Sequence, residues 1–88
     1  MAAVTIYSSD WCPYCQRAKR LLKSKHVDFS EICVDGRADL RAEMAARAGR
    51  NTVPQIWIGE AHVGGCDDLH ELERRGELDA LLQCSGSV

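Results

Sequence analysis

Two cysteines three positions apart, Cys12-Pro13-Tyr14-Cys15, stand between an apolar strand-like run, Val4-Thr5-Ile6-Tyr7, and a segment with helical spacing. This junction constrains the fold more than any other feature of the chain. Two thiols so spaced at a helix start can meet and form a disulfide. The first of them lies where unpaired backbone N–H groups and the helix dipole favour an anion. The thiolate is the reactive form of cysteine, so the placement points to dithiol redox chemistry. Pro13 suits the first helical turn, because its missing N–H would have had no intrahelical partner.

Eighty-eight residues predict a single domain, 1–88, with one core and no need of staples. A net charge of −2, with bases interleaved among acids, leaves no nucleic-acid footprint. Met1-Ala2-Ala3-Val4 lacks a basic segment followed by a long apolar one, so no export signal is read. No apolar stretch approaches the roughly 20 residues of a membrane span. Five cysteines cannot all pair with one another. Without an export signal, they predict a cytoplasmic chain whose thiols serve redox or metal chemistry.

From Pro13, the positions Tyr14, Ala18, Leu21 and Leu22 follow one helical face, with Arg17, Lys19, Arg20 and Lys23 largely outside it. Val27–Val34 holds a second strand, and Asp35-Gly36 is a turn signal. A second helix is predicted over Ala38–Ala48, with Gly49 as its stop. Thr52-Val53-Pro54 interrupts any helix. Gln55–Ile58 and Ala61–Val63 then read as a hairpin across Gly59-Glu60. Asp67 or Asp68 is the expected cap of a helix carrying Leu69 and Leu72, and Glu77–Leu82 forms a last short one. Residues 84–88 read as a frayed tail. The order β-α-β-α-β-β-α predicts a parallel first pair, an antiparallel last pair, and one sheet covered by helices.

Three landmarks now stand in order: Cys12-Pro13-Tyr14-Cys15 after the first strand, Thr52-Val53-Pro54 before the third, and Gly64-Gly65-Cys66-Asp67-Asp68-Leu69 after the fourth. A lone Cys-x-x-Cys is shared with zinc sites and many oxidoreductases, whereas the three together are specific. Over nearly its whole length the chain resembles a dithiol glutaredoxin of the small bacterial type. That resemblance implies an α/β thioredoxin fold, with a four-stranded mixed sheet in the order 2-1-3-4 flanked by three to four helices. It also implies a cis peptide before Pro54, facing the thiols.

The implied activity is glutathione-dependent thiol–disulfide exchange, reducing protein–glutathione mixed disulfides and protein disulfides and supplying electrons to reductive enzymes. Cys12 is the expected nucleophile and Cys15 the resolving thiol. Tyr14, Thr52, Val53 and Pro54 are expected to hold the tripeptide, and Cys66, Asp67 and Asp68 to border its γ-glutamyl end. Glutathione enters as co-substrate; no cofactor or metal is expected, and no nucleic-acid or membrane partner. Glutathione reductase is coupled only through glutathione, and the protein is expected to be a monomer. Two rivals share parts of the pattern: a redoxin served by thioredoxin reductase, and a carrier of a glutathione-ligated [2Fe–2S] cluster, against which Pro13 argues.

Plainer readings stand beside several of these. Tyr14 can be core, Pro54 a trans strand-entry proline, and the Asp67–Asp68 pair simple helix-start residues. Arg17 and Arg20 read as a solvated face, and Cys33 as a small hydrophobe in a strand. Cys66 borders the groove, as a structural residue or one open to glutathionylation, and Cys84 is the candidate for intermolecular pairing. The spacing of His62, Cys66 and His70 crosses a strand, a turn and a helix start, which puts no metal-ligand set on one face. One departure is clear. Many glutaredoxins carry a lysine three residues before the first cysteine, and this chain has Ser9 there. Arg37, Arg41 and Arg50 are the alternative sources of that charge.

Overall fold

The computed structural model describes residues 3–84, without the Cys84 side chain. Of the tail expected at 84–88, residue 84 ends the last helix, while 85–88 and the pairing considered for Cys84 lie outside the described residues. The elements are β1 (Val4–Ser8), α1 (Pro13–Ser24), β2 (Phe29–Cys33), α2 (Ala38–Ala48), β3 (Gln55–Ile58), β4 (Ala61–Gly64), α3 (Cys66–Arg74) and α4 (Leu78–Cys84). They build one sheet in the order β2-β1-β3-β4. β1 and β2 are parallel across α1, and the other two pairings are antiparallel. This is the thioredoxin-fold arrangement that the resemblance implies. None of the described helices is long and apolar enough to cross a membrane.

Side chains alternate across the sheet, and the two faces bury different chemistry. Val4 and Ile6 of β1 join Ile56 and Ile58 of β3 under Ala18 and Leu22 of α1, Leu69 of α3, and Leu78 and Leu82 of α4. Tyr7 and Trp57 point the other way, against Val34 and Met44 of α2. Met44 is the only buried residue of α2, so its apolar contact is narrow. A cation–aromatic contact supplements it: Arg47 of α2 lies 4.5 Å from the Trp57 ring centroid and donates to the Tyr7 hydroxyl at 2.8 Å. That hydroxyl donates in turn to Glu43 at 2.9 Å. Gly49 ends α2 with φ of 75°, the left-handed stop expected there.

The start of α3 differs from the sequence expectation. Gly65, extended at φ −95° and ψ −166°, is the N-cap, and the helix begins at Cys66. Asp68 does its capping from inside the first turn, where its carboxylate accepts the Gly65 N–H at 2.9 Å. A carboxylate three residues in can reach back to the cap amide, so the acidic pair marks the first turn rather than the cap itself.

Candidate active site

The first turn of α1 sorts the two thiols. Cys12 is the N-cap, with extended backbone, and its Sγ accepts the Cys15 N–H at 3.2 Å. Sulfur thus takes the place that a serine or aspartate oxygen usually fills at a cap, where partial positive charge gathers. As a thiol, Cys12 donates to the Val53 carbonyl at 3.7 Å. Cys12 is half-buried, whereas Cys15, one turn on, is fully buried. Burial, followed by the contact with Cys12, pushes the Cys15 thiol up to about 12.

Exposure therefore separates the pair, and burial keeps the Cys15 thiol protonated. Iodoacetamide at neutral pH is expected to label Cys12 ahead of Cys15 and ahead of Cys66, which is also buried and whose thiol burial pushes up. Peptide mapping by mass spectrometry over a time course reads the order, and early label at Cys15 would contradict it.

Every residue that the resemblance put against the tripeptide lines one open groove of about 190 Å³: Tyr14, Thr52, Val53, Pro54, Cys66, Asp67 and Asp68. Arg50 and Gly65 complete it. The Val53–Pro54 bond is cis. Tyr14 is 55% exposed, so it stands in the groove wall and not in the core.

Behind the groove, Gln55 is fully buried and fixes the segment before it. Its Nε2 donates to the Thr52 carbonyl at 3.0 Å and to Thr52 Oγ1 at 3.2 Å. That leaves Gln55 Oε1 as acceptor, so His62 Nε2, 2.7 Å away, carries the proton. Burial holds the His62 imidazole below its ordinary value, which favours this neutral tautomer. Gln55 was not among the residues singled out from sequence. Its signal was a polar residue opening an otherwise apolar strand, directly after Pro54.

At the α3 end of the groove, Asp68 pairs with Arg50 at 3.3 Å. The Gly65 amide, and then Arg50, keep the Asp68 carboxyl below the usual carboxylate range. Gly64 makes this pairing possible. Its φ is +115°, and a Cβ there would run into the Asp68 carboxylate and the Arg50 guanidinium.

Before Cys12, Ser9 and Asp10 form a small polar knot with Asp35. Ser9 Oγ donates to Asp35 Oδ1 at 2.6 Å, and Asp10 N–H donates to Asp35 Oδ2 at 2.9 Å. The Ser9 hydroxyl, and then the Asp10 amide, hold the Asp35 carboxyl below its usual range. Of the three arginines considered for the missing charge, Arg37 pairs with Asp39 at 3.0 Å and Arg41 donates to the Asn51 carbonyl at 2.9 Å. Arg50 is the one that lines the groove.

The histidines and Cys66 do not assemble as one ligand set. His62 is engaged with Gln55, while Cys66 Sγ lies 3.4 Å from His70 Nδ1 on α3. Among the described residues, the ligand atoms near enough to share a cation belong to Asp10, Cys33 and Asp35, within 4.8 Å of one another. Both Asp35 oxygens there already accept hydrogen bonds.

Comparison with known proteins places this arrangement. A family model described as Glutaredoxin matches residues 4–63. A glutaredoxin of Pseudomonas aeruginosa is 68% identical over 82 residues, which is 93% of this chain and 98% of that protein. The solution structure of glutaredoxin from Brucella melitensis aligns with a TM-score of 0.86 at 53% identity, covering 100% of this chain and 96% of the other. The crystal structure of a buckwheat glutaredoxin–glutathione complex aligns with a TM-score of 0.88 at 31% identity, covering 99% of this chain and 82% of that one. Identity sustained along almost the full chain, with the dithiol at the start of α1, shows that this chain belongs to the glutaredoxin family of thiol–disulfide oxidoreductases.

Proposed function

We propose that the protein is a glutathione-dependent disulfide oxidoreductase in which Cys12 is the nucleophile and Cys15 the resolving thiol. The observation that carries this reading is the groove beside Cys12, whose lining brings together the Val53 backbone, the Arg50 cation and the Asp67 and Asp68 carboxylates. The Val53 backbone pairs with the cysteinyl unit as an added strand edge. The first-turn N–H groups of α3 receive the γ-glutamyl carboxylate, with Arg50 beside them, and Asp68 receives its ammonium. The buckwheat glutaredoxin, solved with glutathione, is a relative of the same fold and adds support.

In the reaction with a protein–glutathione mixed disulfide, Cys12 thiolate attacks the glutathione sulfur. The S–S bond breaks, and the protein thiolate leaves and takes up a proton. A second glutathione thiolate then attacks the glutathione sulfur on Cys12, releasing oxidised glutathione and regenerating the Cys12 thiolate. With a protein disulfide, Cys12 attacks first. Cys15 then attacks the Cys12 sulfur and gives up its proton as the substrate thiolate leaves. Two glutathiones reduce the resulting Cys12–Cys15 disulfide. No further cofactor is needed, and the reading places the protein as a monomer in the reducing cytoplasm, where the glutathione pool can drive it.

A coupled assay tests this against the redoxin rival. Reduction of a disulfide substrate is expected with NADPH, glutathione and glutathione reductase, and not with NADPH and thioredoxin reductase alone. Turnover in the second mixture but not the first would overturn the glutathione reading. An absorbance band of a [2Fe–2S] cluster after anaerobic purification would favour the carrier rival.

A further inference from the structure

Among the described residues, the two exposed large hydrophobic side chains both flank Cys12: Trp11 at 89% and Tyr14 at 55%. Tyr14 is accounted for as a wall of the groove. Trp11 is not, because it lies outside the groove lining. An indole left in water forgoes the burial of some 150–250 Å² that makes tryptophan stabilising elsewhere. The backbone that carries it is nonetheless tied down. Trp11 N–H donates to Ser9 Oγ at 3.3 Å, and Cys12 N–H to the Ser9 carbonyl at 3.3 Å. Asp35, at the end of β2, holds the same turn through Ser9 and Asp10. The turn presents the ring on a fixed mount, one residue from the nucleophile.

We propose that Trp11 is a specificity-determining residue for polypeptide substrates, docking the chain that flanks the oxidised cysteine of an extended protein segment. The inference rests on the reaction proposed above and adds a substrate contact that glutathione does not make. A tripeptide is accommodated between Tyr14, Val53 and the start of α3. A polypeptide continues in both directions from its cysteine, so it has residues to lay on a ring beyond that groove. The neighbouring charges define its chemistry. Asp10 and Asp35 are both exposed in this turn; both Asp35 oxygens already accept hydrogen bonds from Ser9 and the Asp10 amide, which leaves Asp10 to meet a cation. A lysine or arginine next to the substrate cysteine fits this corner, its stem on the indole and its charge toward Asp10. Tryptophan and tyrosine beside a reactive centre are also the residue types that dominate interface energetics.

Two measurements test the proposal. In the first, Trp11→Ala and Trp11→Phe are compared on an oxidised peptide disulfide with lysine beside its cysteine, and on the mixed disulfide of glutathione with mercaptoethanol. For the peptide, KM is expected to rise in Trp11→Ala by up to about tenfold, the scale of one aromatic contact, with partial rescue in Trp11→Phe. For the small substrate it should not change.

In the second, Cys12 of a Cys15→Ser protein is loaded either with the same peptide, activated as its thiopyridyl disulfide, or with glutathione. The peptide sulfur bonds to Cys12 and thiopyridone leaves. Trp11 emission, taken as the difference from the Trp11→Phe protein so loaded, is expected to move to shorter wavelength with the peptide and not with glutathione. Equal slowing on both substrates, or equal emission with both adducts, would overturn the inference. So would a Trp11 emission in the free protein that shifts with protein concentration, since a second copy would then be the occupant. Failure of the glutathione reading itself would show differently, as oxidised glutathione failing to load Cys12 at all.

Discussion

Cys12→Ser is expected to leave turnover at the uncatalysed background with every disulfide substrate, while Cys15→Ser keeps activity on glutathione mixed disulfides and loses it on protein disulfides that need a second thiol. The first loss is chemical and not structural. Cys12 is the N-cap of α1, and its sulfur accepts the Cys15 N–H. Serine is among the best residues at that position, so its hydroxyl takes over the cap and the melting temperature should hold or rise. The hydroxyl cannot form a disulfide, and it is far too weakly acidic to supply a nucleophile unaided. At residue 15 the logic differs. The sulfur is fully buried, and a serine hydroxyl is close to a thiol in size, so the substitution leaves the packing of the first turn intact. The mixed-disulfide route uses Cys12 alone, so it survives. Parallel kinetics on the two substrate types, with thermal melts of both variants, check the pair. Substantial turnover by Cys12→Ser would overturn the assignment of nucleophile.

Gly64→Ala is expected to destabilise the fold by about 1–3 kcal/mol, the usual scale for a side chain forced into a sparsely populated backbone region, and to weaken the groove at once. The φ of +115° disfavours any L side chain, and the new methyl would run into the Asp68 carboxylate and the Arg50 guanidinium. Either the backbone turns, which shifts β4 against the start of α3, or the Arg50–Asp68 pair opens. In a domain of this size such a loss lowers the melting temperature by several degrees. KM for glutathione should rise with it under the proposed function, because both displaced groups line the groove. Gly65→Ala is the control. Gly65 has a negative φ, and a Cβ there would meet the Pro54 carbonyl at 3.4 Å, an ordinary contact. Its effect on stability should be clearly smaller. Equal melting temperatures for the two variants would show that the conformation of Gly64 is not the constraint described.

Much of this architecture was legible because it is local. Apolar spacing placed α1 and α2, and the Gly49 stop of α2 has the left-handed conformation that a glycine after a helix suggests. Cys12 and Cys15 could be told apart from their positions in a first turn, and burial separates them in the same sense. The landmarks near residues 52–54 and 64–68 pointed to a common groove, and their side chains do line one. The cap of α3 was misplaced by two or three residues. Acidic residues are equally at home at the cap and in the first turn, and only the extended backbone of Gly65 shows which role Asp68 fills.

Gln55, Arg50 and Gly64 were harder to read, for a different reason in each case. Gln55 is a polar residue in an apolar strand; its meaning lies in partners on both sides, Thr52 before it and His62 across the hairpin. Arg50 was one of three arginines with similar sequence surroundings. Which of them faces the groove depends on where the segment after α2 comes to rest against α3. Gly64 stood just past the strand expected at Ala61–Val63, whereas it is the last residue of β4 and clears the way for a charge pair drawn from two distant segments.

Local pattern was enough for the order of elements, for which thiol stands at the start of α1, and for the family, because backbone periodicity, helix-start electrostatics and motif spacing act over a few residues. Long-range packing settled which cation meets Asp68, which amide braces Thr52, and that Tyr14 and Trp11 stand in solvent beside Cys12 while Tyr7 and Trp57 of the sheet are covered. Those outcomes depend on segments far apart in the chain meeting at one end of the sheet. Charge pairing and exposure are set by distance in space, which local pattern does not encode.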